Sequence, residues 1–360
     1  MKNYLDGSSG KAAYLQLYEG LRRDIIAGVY PFGSKLPSKR LLAEESGCSV
    51  ITVEHAYSIL ADEGYIEARL RSGYYVCYRE RDFLSAGGEV RTARVQPPHH
   101  PKSGFPYSVW AKAVRKVLAD YGEALLSKSP NHGCAILREA IAGYLARSNG
   151  IRVRPEQVII GSGAEYLYSL VAQLLGQGRT FGLEDPCYDK IRRVYEAGGL
   201  PCALLPLGPD GIRSSALQNT PASVLHVTPF NSFPSGITAS AGKRQEYLRW
   251  AAERAGYIIE DNYDSELTVS MKKEEPLFSR DNTGRVLYLN TFSKTVAPSI
   301  RVGYLLLPEG LLAPFEEKLG FISCTVPVLE QYVLAELINS GDFERHINRV
   351  RRARRKNLVI

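Results

Sequence analysis

Two segments of the chain combine a reactive side chain with a setting that would make it react. The first is TFSKTVAPSIRVGYLLL, residues 291–307. Lys294 follows an apolar run, in a turn of small hydroxyl residues, and Arg301 stands seven positions later at the start of another apolar run. A partly desolvated amine has a lowered pKa and attacks carbonyls, which is what a Schiff-base lysine requires. Arg301 offers a planar fork for bidentate capture of a phosphate. Thr291 and Ser293 add hydroxyl donors beside it. The second segment is YIIEDNYDSEL, residues 257–267, where Asp261 leaves an apolar run two positions before Tyr263.

These residue types suit pyridoxal 5'-phosphate (PLP). Its ring acts as an electron sink while the ring nitrogen stays protonated, and an aspartate beside that nitrogen keeps the proton there. Asp261 is the candidate for that place. Tyr263 is the candidate for a hydrogen bond to the phenolic oxygen of the ring. Upstream, VIIGSGAEYLYSLVAQLL (158–175) predicts a strand, a Gly-Ser-Gly turn and a helix. Free N–H groups of such a turn, with the helix dipole behind them, form an anion site suited to the phosphate. EDPCY (184–188) follows the next apolar run and offers Tyr188 as a ring to stack on the pyridine face. Each feature alone has a commonplace explanation; their order along the chain carries the reading.

Residues scattered from Ser162 to Arg301 meet only if strands bring their ends together. From about residue 105, short apolar runs alternate with helical patterns: QVIIG (157–161), RTFGL (179–183), SVLHVT (223–228), GYIIED (256–261), RVLYLNT (285–291) and VGYLLL (302–307). That alternation predicts an α/β unit with a mainly parallel central sheet wrapped by helices. The chain has 360 residues, a length that suggests about two domains. Hydrophobic residues make up 44% and charged residues 23%, which excludes wholesale disorder. No apolar run is long enough to span a bilayer. The N-terminal MKNYLDGSSGK has no apolar stretch of a secretory signal. Six cysteines are scattered with no C-x-x-C pair, so neither a metal site nor a disulfide framework is expected, and a reducing cytoplasm is the expected location.

The N-terminal part has another texture. Residues 12–28 place Leu17, Leu21 and Ile25 on one helical stripe that ends at Gly28. Ser38 is the expected cap of a second helix running to Gly47, and Ser49 of a third, whose Val53, Ala56, Tyr57 and Leu60 share a face. After Gly64, YIEAR and GYYV flank Leu70-Arg71-Ser72, the pattern of a hairpin wing. Two short helices joined by a glycine turn, followed by a wing, predict a winged helix-turn-helix. Residues 80–104, ERDFLSAGGEVRTARVQPPHHPKSG, have linker composition. The net charge of +7 says little about this part. Residues 1–80 hold ten basic and ten acidic side chains, whereas residues 341–360 hold seven basic against two acidic. That basic end reads as a solvated helix face.

The stretch LPSKRLLAEESGCSVITVEHAYSILADEGYIEARLRSGYYV (36–76) resembles the GntR-type winged helix-turn-helix. The stretch from about 105 onward resembles the fold-type I aminotransferase domain. Together they resemble the MocR family of PLP-dependent transcriptional regulators. The resemblance implies residues 1–79 as a DNA-binding domain, 80–104 as a linker and 105–360 as an aminotransferase class I/II-like, PLP-binding domain. It implies Lys294 as the lysine that carries the cofactor, Asp261 and Tyr263 as its ring partners and Tyr188 as its stacking ring. Ser162, Gly163, Ala164, Thr291, Ser293 and Arg301 would form the phosphate cup. The implied partners are an operator in double-stranded DNA and a small amine or amino-acid effector. The implied assembly is a head-to-tail homodimer.

The chain departs from the family pattern in three places. PFNSFPSG (229–236) stands where regulators of the family read close to PSHQFPTG; Asn231 is expected to supply a substitute hydrogen bond. Val50 and Glu54 stand where the family usually has arginines on the recognition helix. That leaves Ser49, Thr52 and His55 towards bases, and Lys39, Arg40, Arg69 and Arg71 towards phosphates. Thirdly, family members continue past the position of Ile360 into a small domain that carries an arginine for a substrate carboxylate. The expectation is therefore an incomplete aminotransferase unit. A sensing regulator fits that better than the alternative, a PLP-dependent aminotransferase with a vestigial DNA-binding domain.

Overall fold

The computed structural model describes residues 4–5, 10–69, 72–79, 105–176, 178–268 and 275–358. Arg71 and the segment 80–104 lie outside the described residues. The chain divides into two compact units, Met1–Pro98 and His99–Ile360.

In the first unit α1 (Ala13–Ile26) buries Leu17, Leu21 and Ile25 against α2 (Lys39–Ser46) and α3 (Val50–Asp62). The Ser38 hydroxyl accepts from the Leu41 N–H at 3.2 Å and caps α2. Gly47 ends it in the left-handed region at φ 64°, a conformation that costs glycine nothing. Two residues on, the Ser49 hydroxyl accepts from the Thr52 N–H at 3.1 Å and starts α3. The buried Tyr57 hydroxyl donates to the Pro37 carbonyl at 2.8 Å, fixing α3 against the start of α2. Strands β1 (Ile66–Arg69) and β2 (Gly73–Val76) pair antiparallel from Ile66 opposite Val76 to Arg69 opposite Gly73. The winged helix-turn-helix expected from sequence is present.

The second unit opens with α4 (Tyr107–Tyr121) and α5 (Ala135–Asn149). There follow β3 (Val158–Gly161), α6 (Ala164–Leu175), β4 (Phe181–Asp185), α7 (Asp189–Ala197), β5 (Cys202–Gly208), β6 (Gly211–Ile212) and α8 (Ser214–Asn219). Next come β7 (Val224–Val227), α9 (Ala241–Glu253), β8 (Tyr257–Asp261), α10 (Leu277–Arg280), β9 (Val286–Thr291) and β10 (Gly303–Leu306). Helices α11 (Leu312–Leu319), α12 (Val328–Asn339) and α13 (Asp342–Leu358) complete it.

The strands form one sheet in the order β3-β10-β9-β8-β7-β4-β5-β6. The pairs β9–β8, β8–β7, β7–β4 and β4–β5 are parallel. β10 runs against both of its neighbours, and β6 against β5. Period-two alternation explains the continuous apolar runs. Ile159, Ile259, Leu287 and Leu305 face one core, whereas Val158, Ile160, Tyr304 and Leu306 face another. Strands covered on both faces need apolar residues at every position. The sequence reading has no counterpart of β5 and β6. β5 carries Pro206, which cannot donate to a ladder, and β6 has two residues.

Register places the functional residues. Gly303 pairs with both Gly161 and Thr291, and Asp261 pairs with Leu289. The C-terminal ends of β3, β4, β7, β8 and β9 and the start of β10 therefore share one edge. In open α/β sheets that edge is where ligands bind.

Candidate cofactor site and recognition helix

Asp261 is a buried carboxylate at this edge, 2% exposed. The Tyr168 hydroxyl, from α6, donates to its Oδ2. Burial keeps that phenol protonated, its pKa well above the ordinary tyrosine value. His226 Nε2, from β7, lies 3.5 Å from the same oxygen. His226 is itself held by Tyr195, whose hydroxyl is 2.8 Å from Nδ1. The other oxygen, Oδ1, is buried with no hydrogen-bond partner. A buried carboxylate oxygen left without a donor is costly, and a protonated ring nitrogen would satisfy it.

Lys294 follows β9 by three residues, in the turn after Phe292. The apolar strand buries residues up to Phe292, and the turn then lifts Lys294 out; it is exposed, where the sequence predicts partial desolvation. Its Nζ stands 5.7 Å over the ring of Tyr263. Tyr263 donates its hydroxyl to the Asn231 carbonyl at 2.9 Å, rather than presenting it free towards a ligand. Asn231 adopts φ 54°, a conformation that asparagine tolerates better than most residues. Its amide donates to Asp264 Oδ2 at 2.9 Å, so that side chain braces the loop after β8. Burial pushes the Tyr263 phenol up to about 12, and it remains a donor at neutral pH.

The anion cradle lies where β3 passes into α6. Gly163 takes φ 94°, and a Cβ there would stand 2.7 Å from Arg301 Nη2. The glycine thus lets the guanidinium lie against the turn ahead of Ala164. Arg301 Nη2 is 2.7 Å from Glu165 Oε2, and Lys190 Nζ is 2.8 Å from Glu165 Oε1. The Ser162 hydroxyl is 2.8 Å from that of Thr325. Thr291 is buried at the end of β9. Ser293 donates to the Ile300 carbonyl at 2.8 Å and ties the turn together. Tyr188 follows β4 and stands edge-on to Phe233, ring centroids 5.9 Å apart at 78°.

Four residues around this site escaped the sequence reading: Tyr168, His226, Glu165 and Glu184. His226 left a signal, a titratable residue inside the apolar run SVLHVT. Glu184 is fully buried and accepts from Ser232 Oγ at 2.5 Å and from the Thr228 N–H at 3.1 Å. The basic end is largely exposed, as expected, and two of its arginines also make contacts. On α13, Arg351 Nε donates to the Glu266 carbonyl at 2.5 Å and Arg354 Nη1 to the Leu267 carbonyl at 3.1 Å. These two guanidiniums satisfy main-chain groups of the loop after β8, Arg354 while still about half exposed.

In the first unit Ser49 and Thr52 are 2.9 Å apart through their hydroxyls. Lys39 Nζ pairs with Glu54 Oε1 at 2.6 Å. Arg69 pairs with Glu67 at 2.6 Å and covers the Tyr75 ring. His55 stands edge-on to Tyr14, and Arg40 is exposed. Arg71 lies outside the described residues.

The profile of bacterial regulatory proteins of the gntR family matches residues 13–76, and that of aminotransferases of class I and II matches residues 97–357. The HTH-type transcriptional regulator YdeL of Bacillus subtilis is 36% identical over 96% of this chain and 78% of its own length. The probable rhizopine catabolism regulatory protein MocR of Rhizobium meliloti is 30% identical over 97% of this chain and 76% of its own. The chain belongs to the MocR-type family of helix-turn-helix transcriptional regulators. The regulator's second unit also resembles LysN, an α-aminoadipate aminotransferase of Thermus thermophilus solved with N-(5'-phosphopyridoxyl)-L-leucine. That likeness has a TM-score of 0.62 and 29% identity over 69% of this chain; it spans 64% of LysN, less than two thirds.

The regulator is thus a DNA-binding protein with an aminotransferase-type domain whose cofactor is PLP. The residues at the sheet edge fit that group: an orphaned carboxylate oxygen on Asp261, a cradle at Gly163 that a Cβ would fill, and Arg301 beside it. No helix of the described residues is long and apolar enough to cross a membrane.

Proposed function

We propose that the regulator senses a small amine or amino acid through PLP held covalently by Lys294. Asp261 keeps the ring nitrogen protonated, Tyr263 faces the phenolic oxygen and Tyr188 covers the ring. Ser162, Gly163, Ala164, Thr291, Ser293 and Arg301 surround the phosphate, and Asn231 braces the wall behind Tyr263. When bound, the cofactor supplies a carbonyl for amine exchange and an electron-withdrawing ring. Lys294 is the side chain whose engagement an amine effector changes, and that change shifts the protein between states of different operator affinity. Lys39, Arg40, Ser49, Thr52, His55, Arg69 and Arg71 contribute to the duplex contact. Residues 1–79 act as the reader, 80–104 as a tether and 105–360 as the sensor, in a cytoplasmic head-to-tail homodimer.

The orphaned Asp261 Oδ1 is the observation that carries this reading. Purified protein with added PLP is expected to absorb in the near-visible, and Lys294→Ala to lose that band. A band that survives the substitution would refute the lysine assignment. Sensing is checked by a gel shift of an operator fragment that changes when an amine is added to the PLP-loaded protein. Turnover of amine donor to keto acid without any specific shift would instead mark an aminotransferase with a vestigial reader.

A further inference from the structure

The leading end of α3 has an uncommon surface. Val50 is 42% exposed and Ile51 67% exposed. The opposite face of the helix, with Val53, Ala56, Tyr57 and Leu60, is fully buried and closes the core without them. Glu54 lies one turn after Val50, on the same side. Its carboxylate is exposed and engages Lys39 at 2.6 Å. Helix α3 contains no lysine or arginine at all.

A recognition helix meets base edges with the residues of its first turns. Guanine presents acceptors in the major groove and is read by cationic forks, which α3 lacks. Besides Thr52 and His55, what the first turns of α3 offer is aliphatic surface at Val50 and Ile51 and one carboxylate acceptor, Glu54. Aliphatic carbon packs on the C5-methyl of thymine, and a carboxylate accepts from the N4 amino group of cytosine. A carboxylate so close to phosphates needs a compensating cation, and the Lys39 contact provides one.

We infer that α3 reads neighbouring thymine methyl groups with Val50 and Ile51, and a cytosine amino group with Glu54. Lys39 is the positioning residue for that carboxylate. The fitting ligand is a duplex with a thymine- and cytosine-bearing half-site on the strand that α3 faces. This rests on the DNA-reading function stated above and adds the bases.

The test uses the full PLP-loaded protein. Duplexes are selected from a random pool, and each thymine of the selected site is then replaced by deoxyuridine, which keeps pairing and removes only the methyl group. Loss of each contacted methyl is expected to weaken binding about fourfold, the factor for one buried carbon. Ile51→Ala should bind the site more weakly and no longer distinguish thymine from deoxyuridine at its position, a coupling that a general loss of affinity does not produce. Glu54→Gln should relax the cytosine preference while leaving the thymines selected. Both positions are exposed, and unchanged melting curves of the variants confirm an intact fold. A selected site that binds equally well with deoxyuridine throughout, or one read through guanines, overturns the inference and leaves the regulator reading intact. Failure to enrich any sequence would remove both.

Discussion

Arg301 Nη2 lies 2.7 Å from Glu165 Oε2, in the cradle proposed for the cofactor phosphate. Burial alone would raise the Glu165 carboxyl. Hydrogen bonds from Lys190, from its own helix N–H and from Arg301 outweigh that and hold it at about 2. Glu165 is therefore ionised at any physiological pH and occupies the guanidinium that a phosphate would need. The protein carries its own competing anion at the mouth of α6.

Glu165→Gln should free Arg301 and remove one negative charge from the cradle. The expected result is tighter PLP binding, by about tenfold, which corresponds to about 1.4 kcal/mol. Titration of the near-visible band with PLP measures it. Equal or weaker binding would show that Glu165 serves the site instead of competing for it.

Much of this site was legible because strand ends are visible in a sequence. Lys294, Asp261 and Arg301 each adjoin an apolar run, and six runs correspond to β3, β4, β7, β8, β9 and β10. Burial on both faces made those runs continuous. β5 escaped because its Pro206 and exposed positions break the pattern. Contacts between elements left no such trace. Glu165 and Arg301 are 136 positions apart, and only the register of β3 against β10 brings their segments together. The basic end is mostly exposed, as expected of a solvated face, but two of its contacts left no trace in the sequence. Charge density suggests solvent, yet a guanidinium has five donors, and Arg351 and Arg354 use theirs on carbonyls of the loop after β8.

Arg354 reaches the cofactor wall through two intermediaries. Its Nη1 is 3.6 Å from Asp264 Oδ2, which holds the Asn231 amide, and the Asn231 carbonyl receives the Tyr263 hydroxyl. Arg354 is about half exposed, so Arg354→Ala should cost less than about 1 kcal/mol of stability. It removes the cation beside Asp264 in a chain of contacts that ends at Tyr263, over whose ring Lys294 Nζ stands, and a local gain of negative charge favours the protonated form of a base. The pH midpoint of the Lys294-dependent band should move up by about half a unit, and Arg354→Lys should restore most of it. A pH profile identical to that of the unaltered protein would disconnect α13 from the site.

Glu184 should make the stability of the second unit depend on pH in an uncommon direction. Burial pushes its carboxyl up to about 7 from 4.5, although Ser232 and the Thr228 N–H donate to it; the charge of Asp261 adds to the rise. Burial raises Glu260 and Glu266 to about 7 as well. In the unfolded chain these groups release their protons near 4.5, whereas the folded unit keeps them. Between about 4.5 and 7 the folded state therefore binds more protons, and this stabilisation, complete at lower pH, is lost as pH rises. The loss per group approaches about 1.4 kcal/mol for each pH unit within that window. Glu184→Gln keeps the shape, retains an acceptor for the Thr228 N–H and cannot ionise. Its stability relative to the unaltered protein should rise steadily between pH of about 5 and about 7 and then level off. Urea unfolding across that range measures the difference. A difference that stays constant with pH would mean that Glu184 titrates alike in the folded and unfolded chain, and that the burial of its carboxylate is relieved by a donor other than Ser232 and Thr228.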